Sequence, residues 1–232
     1  MKPTICPGRN PSLERPHVMS GLTPRLLRDE APFDLALDDG LRVRLRPIVK
    51  SDESRVQRAY ELLSEDSRMN RFWEKPKELS LSRAARLTDT DDTGHVAWIA
   101  IRPDDDDFPG YAGASFWRDA ADASRAELAF TVADAWQRRG LATLLFSILW
   151  FDGWHCGIRH FYGSCRLKNV AMAEWWHDMG GVVEAGPRTY HLSLDLISPE
   201  ALVHQVSYGM APSYRLVETA NWLRQWLEFT AD

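Results

Sequence analysis

Residues 124–142, SRAELAFTVADAWQRRGLA, hold a strand, a turn and the start of a helix in one run. In SRAELAFTV (124–132) alternation puts Leu128, Phe130 and Val132 on one face and Glu127, Ala129 and Thr131 on the other. Gln137, Arg138, Arg139 and Gly140 follow, and the apolar run RGLATLLFSILWFDGW reads as a buried helix. The first turn of a helix carries N–H groups without acceptors and a partial positive charge. A glycine lets the backbone come close to a ligand, and the arginines add charge-assisted contacts. Such a place suits a phosphate.

Working outward, HVAWIAI (95–101) and YAGASFWRD (111–119) precede this unit and flank a loop rich in turn residues. With 124–132 they predict an antiparallel meander. Upstream, LRVRLRPIV (41–49) predicts a strand, SDESRVQRAYELLSED (51–66) one helix capped by Ser51, and ELSLSRAARLTD (78–89) a second. Downstream come a strand at 159–167, a helix in NVAMAEWWHDMGG closed by Gly180 and Gly181, and a strand at 189–196. Residues 1–38, with Pro3, Pro7, Pro11, Pro16, Pro24 and Pro32, predict a flexible arm. Residues 39–196 predict the α/β (α+β) domain, with a mixed, mostly antiparallel sheet flanked by helices. Residues 197–232 predict a helical extension with Leu216, Ala220, Leu223 and Leu227 on one side. Docking of that side on its own domain is favoured, and a homodimer through these helices is the alternative.

The chain has 232 residues and a net charge of −5, which does not suggest a nucleic-acid partner. Cys6, Cys156 and Cys165 form no CxxC pair, and the low, odd count fits a reducing, cytoplasmic setting. No signal-peptide h-region and no membrane-length apolar run occurs, so no membrane partner is expected.

Gln137-Arg138-Arg139-Gly140-Leu141-Ala142 matches Q/R-x-x-G-x-G/A, which resembles the pyrophosphate loop of the GNAT superfamily of N-acetyltransferases. Asn169 in NVAMAEWWHDMGG fills the place of the superfamily's pantetheine-contacting asparagine. More narrowly, 124–142 and LSEDSRMNRFWEKPKELS are similar to bacterial Pat-type protein-lysine acetyltransferases. The resemblance spans about residues 40–196 and implies a GNAT fold with acetyl-CoA as co-substrate and no metal. It implies a cofactor site made of Phe130, Val132, Gln137, Arg138, Arg139, Gly140, Leu141, Ala142, Thr143 and Asn169. It also implies Glu127 as the general base, through the matching "AE" pair. A lysine amine is protonated up to a pKa near ~10.4, so a carboxylate that removes the proton fits the chemistry. The resemblance also implies that a backbone N–H near Val132 polarises the thioester carbonyl.

By this resemblance the favoured acceptor is a protein lysine. A small-molecule amine such as a polyamine or an aminoglycoside is the enzymatic alternative, and a non-catalytic acyl-CoA sensor the third. One departure stands out: the tyrosine that many GNAT enzymes use as an acid falls on Trp176, whose indole N–H only donates hydrogen bonds. Arg71, Phe72 and Trp73 border the acceptor site by resemblance, with a packed loop as the plainer expectation. Asp104 to Asp107 read as a solvated loop, and His155, Cys156 and His160 fit no zinc spacing.

Overall fold

The meander forms as expected: β3 (His95–Ile101), β4 (Ala112–Arg118) and β5 (Arg125–Val132) pair antiparallel in unbroken register. The computed structural model describes residues 26–74, 76–91, 93–211 and 213–231. Around the meander, β1 (Phe33–Ala36), β2 (Arg42–Pro47), β6 (His160–Arg166), β7 (Val182–Ala185) and β8 (Thr189–Asp195) complete an eight-stranded sheet among the described residues, ordered β1-β2-β3-β4-β5-β6-β8-β7. Only β5 and β6 run parallel. The eight α-helices of the described residues are α1 (Leu27–Glu30), α2 (Glu53–Glu61), α3 (Glu65–Phe72), α4 (Leu81–Thr88), α5 (Leu141–His155), α6 (Val170–Asp178), α7 (Pro199–Ser207) and α8 (Tyr214–Phe229).

α5 is buried on every side, which accounts for a helix that reads as continuously apolar. One side packs on β3, β4 and β5 and the other on α8. From α8, Leu216, Ala220, Leu223 and Trp226 enter the main core, and Trp226 Nε1 donates to the buried Ser147 Oγ at 3.0 Å. The apolar side of the extension is therefore covered by its own domain, with Leu227 packed at the edge. On the opposite face of the sheet, α2 and α4 enclose a smaller cluster of Tyr60, Leu63, Leu79 and Ala84.

Three expectations need correction. Residues 26–38 of the supposed arm are built into the fold: Leu27 and Phe33 are core residues, and β1 pairs with β2. Phe33 lies 6.2 Å from the Trp98 ring and 5.2 Å from Trp226, an apolar contact strong enough to order the segment. The rest of the arm lies outside the described residues.

The single helix over 51–66 is two helices, because Ser64 is extended (φ −61°, ψ 162°) and caps α3 by accepting from Ser67 N–H at 3.2 Å. Finally, Asp52 rather than Ser51 precedes α2. Its buried carboxylate takes a bidentate pair from Arg46 at 2.7 Å and the Val49 N–H at 3.0 Å. Burial opposes the charge on Asp52, but these donors outweigh it and hold the carboxyl below its usual range.

Candidate active site

A cleft opens where β5 and β6 diverge. The two strands pair only at Arg125–His160, Ala126–Phe161 and Glu127–Tyr162. Beyond that point β6 stays paired with β8 along its length, while β5 stays with β4. Gly163 sits at the fork, where a Cβ would lie 3.4 Å from the Leu128 carbonyl oxygen.

The split leaves one edge of β5 without a neighbour. Odd-numbered residues bond toward β4: Asp119 N–H donates to Arg125 C=O, and Ala133 N–H to Tyr111 C=O. Alternation turns the even residues the other way, so the N–H groups of Phe130 and Val132 face the cleft. The cleft encloses about 690 Å³ between β5, α3, α6 and the first turn of α5.

The loop at its floor is tightly braced. Asp134 accepts from Ser64 N–H at 2.9 Å, Ser64 Oγ at 2.7 Å and Ser67 Oγ at 2.9 Å. Burial opposes ionisation of Asp134, and these hydrogen bonds override it and hold the carboxyl below its usual range. Gln137 Nε2 donates to Val132 C=O at 3.2 Å and Ser67 Oγ at 3.4 Å, so its side chain fixes the loop.

Arg138 (φ +60°) and Gly140 (φ +87°) then turn the chain into α5. A left-handed arginine costs about 1–2 kcal/mol, which the braced loop sustains. Among the described residues, no backbone carbonyl accepts from the N–H groups of residues 138–143. At Gly140 a Cβ would also lie 3.0 Å from Glu218 Oε1, on α8. Burial pushes the Glu218 carboxyl up.

The other expected cofactor residues divide by what they offer. Leu141 and Thr143 are buried, and the Thr143 hydroxyl accepts from Trp175 Nε1 at 3.3 Å, so the first turn presents backbone N–H groups with Ala142 half-buried among them. Phe130 meets Trp175 edge-on at 5.2 Å and forms an apolar wall. Asn169 starts α6 and lines the cleft, and its side chain makes no capping hydrogen bond.

The two arginines part company. Arg138 is exposed at the cleft, whereas Arg139 is ion-paired with Asp39, stacks 5.0 Å over the Trp136 ring and lines only the adjoining groove against α8, which Arg138 also borders. Asp39 in the turn after β1 holds Arg139 on the outer side of the loop.

Glu127 is exposed at the fork, beside Trp117 and Tyr162 in the neighbouring strands. No ion pair links it to Arg125, which instead stacks on Tyr162 at 5.1 Å. Ala129 and Thr131, on the same face, border an apolar pocket of about 100 Å³ beneath α2. Arg71 from α3 lines both that pocket and the cleft. Trp176 is buried and donates to Ser193 C=O at 3.0 Å, so its position faces β8 and not the cleft. The Ser64, Ser67 and Asp134 brace escaped sequence reasoning. The polar doublet Ser64 and Ser67 inside an otherwise helical run was its only signal.

Among the described residues no cluster of metal-ligating side chains occurs, and no helix is long and apolar enough to cross a membrane.

No protein-family model matches the chain. It is 29% identical over 152 residues to the acetyltransferase PA5475 of Pseudomonas aeruginosa, covering 66% of this chain and 81% of that protein. It is 26% identical over 158 residues to the acetyltransferase Pat of Mycolicibacterium smegmatis, covering 68% of this chain but 46% of Pat. The GNAT domain of S. lividans PAT superposes with a TM-score of 0.65 at 29% identity, over 71% of this chain and 97% of that domain. The structure of yncA from Salmonella typhimurium with its cofactor acetyl-CoA shares the fold, with a TM-score of 0.54 at 19% identity over 67% and 94% of the two chains.

Proposed function

We propose that this chain, which is similar to the acetyltransferases PA5475 and Pat and to the GNAT domain of S. lividans PAT, is a GNAT acetyltransferase that moves an acetyl group from acetyl-CoA directly to an amine, with a protein lysine as the favoured acceptor. The observation that carries this reading is the fork at Glu127. It opens a cleft floored by the unfilled N–H groups of residues 138–143 and edged by a carboxylate.

Acetyl-CoA supplies the activated acetyl group as a thioester. The backbone N–H groups at the start of α5, with Arg138, are suited to its diphosphate. Asn169 and the Phe130 wall suit the pantetheine arm. The Phe130 and Val132 N–H groups are suited to charge developing on the thioester oxygen. Glu127 accepts the proton that the acceptor ammonium must lose before its nitrogen forms the new C–N bond and the C–S bond breaks. The reading involves no acyl-enzyme: Cys165 is buried, and burial pushes its thiol up to about 11. Holding both reactants in one cleft provides the rest of the acceleration.

The resemblance of residues 124–142 to Pat-type protein-lysine acetyltransferases favours a lysine on a protein, and the cleft edge at Glu127 is exposed enough for a side chain to arrive from outside. Calorimetric titration with acetyl-CoA, followed by turnover assays on Glu127→Gln, tests the proposal. The expected result is saturable binding in both proteins, with turnover lowered about 10²–10⁴-fold in the variant. Absence of binding in the unmodified chain would overturn the reading. Equal behaviour of the two proteins in every acceptor assay would leave a CoA-binding module without catalysis.

A further inference from the structure

Arg71 is a cation at this site that the mechanism above does not use; Arg215 and Arg55, which also line the cleft and the pocket, are engaged with Asp178 and with the Asp106 and Phe108 carbonyls. Arg71 projects from the last turn of α3 into the boundary between the cleft and the apolar pocket. Its neighbours are engaged. Arg68 donates to the Glu61, Pro76 and Lys77 carbonyls, Arg83 pairs with Glu74, and Arg166 donates to Asn70 Oδ1. Arg71 makes no hydrogen bond or ion pair among the described residues, and its one close partner is the Phe72 ring at 5.1 Å.

Burial drives its pKa down to about 10, and attraction from Glu127 opposes that shift without closing into an ion pair. Arg71 is half-buried and its nitrogens are not sealed from solvent, so its donors are open to a ligand that enters the cleft. Planar, forked donors match a carboxylate.

We propose that Arg71 receives an oxyanion carried by the acceptor next to its amine, so that the preferred acceptor is an amine with a carboxylate close by. This rests on the acetyltransferase reading above and names the substrate class of the same site. Glu127 on β5 faces the ammonium, and Arg71 on α3 faces the carboxylate. The apolar pocket between Val56, Leu63, Phe72 and Ala129 takes carbon. Two sources present this chemistry: an acidic residue flanking the target lysine of a protein, or the α-carboxylate of a small amino acid. The pairing also offsets the repulsion that a chain of net charge −5 would exert on an anionic acceptor.

The test compares amines that differ only in the carboxylate. One arm uses lysine peptides flanked by Glu against the same peptides flanked by Gln. The other uses leucine and methionine against their decarboxylated amines. CoA release is followed for the unmodified chain, Arg71→Gln and Arg71→Lys.

The expected result is a preference of about tenfold or more in kcat/KM for the carboxylate member of at least one arm. That preference should fall to within about twofold in Arg71→Gln and be partly restored in Arg71→Lys. The arm that shows it identifies the source. No preference in either arm, or an undiminished preference in Arg71→Gln, overturns the proposal. If no amine turns over, the same pairs are titrated against protein saturated with CoA, and equal affinity within each pair, or no binding at all, overturns it. Failure of the chain to bind acetyl-CoA in the first place would instead remove the acetyltransferase reading.

Discussion

The two ends of α5 treat hydrogen bonds in opposite ways. At its start, residues 138–143 present N–H groups that no backbone carbonyl of the described residues fills, and Gly140 keeps side-chain bulk away from them. Near its other end, Asp152 is sealed in the core and accepts from the Leu27 N–H at 3.1 Å and Trp98 Nε1 at 2.9 Å. One helix thus keeps its open donors at the cleft and its closed network where α1 and β3 meet. The first end should govern ligand affinity and the second stability.

The largest effect should come from the closed end. Asp152→Ala leaves the Leu27 and Trp98 N–H groups buried without acceptors, and should lower unfolding stability by about 3 kcal/mol. Urea denaturation at pH 6 reads this loss, and calorimetry on the folded fraction should show unchanged acetyl-CoA affinity. A parallel loss of affinity would mean that the two ends are not separable. At the open end, Arg138→Glu should weaken acetyl-CoA binding by about tenfold or more, since a charge-assisted contact is replaced by a repulsion. Its urea midpoint should stay within experimental error of the unmodified chain, because Arg138 is exposed and its side chain makes no hydrogen bond or ion pair among the described residues.

A smaller, pH-dependent effect sharpens the contrast. Burial pushes the Asp152 carboxyl up to about 7 from an ordinary 3.8, while the donors from Leu27 and Trp98 only partly oppose it. Between these values the folded chain binds a proton that the unfolded chain has lost. The contribution of Asp152 to stability therefore falls as pH rises through this window and levels off above about 7. Between pH 6 and 8 the fall should be about 1 kcal/mol. Burial lowers the His95 pKa, so that group acts in the opposite sense on acidification. The difference between the unmodified chain and Asp152→Asn isolates the aspartate. Parallel stability–pH curves for the two proteins would rule this account out.

How much of this was legible beforehand depended on distance along the chain. The strand, turn and helix start of 124–142 lie in contiguous residues, so alternation and the glycine were enough to read them. The fork at Glu127 depends on β6 keeping β8 as its partner, a pairing between segments about 30 residues apart that no local pattern records. The break before α3 is set by Asp134, which binds Ser64 from 70 residues away. β1 was hidden within a proline-rich stretch because Phe33 is ordered by Trp98 and Trp226, far along the sequence. Arg71 carried a resemblance to an acceptor-side segment, but its lack of partners is visible only in three dimensions.

Arg138 and Arg139 give the finest version of the contrast, since they are adjacent and chemically identical. Sequence assigns both to the phosphate, yet Arg139 is held by Asp39 and Trp136 on the outer side. Its partner Asp39 is exposed, and an exposed pair adds little to stability. Arg139→Gln should therefore leave acetyl-CoA affinity within about twofold, far less than the loss in Arg138→Glu. Titration of both variants in one buffer, at two salt concentrations, decides the point. If Arg139→Gln loses affinity as strongly as Arg138→Glu, and the loss shrinks with added salt, Arg139 leaves Asp39 to meet the ligand. The groove against α8 would then belong to the cofactor site.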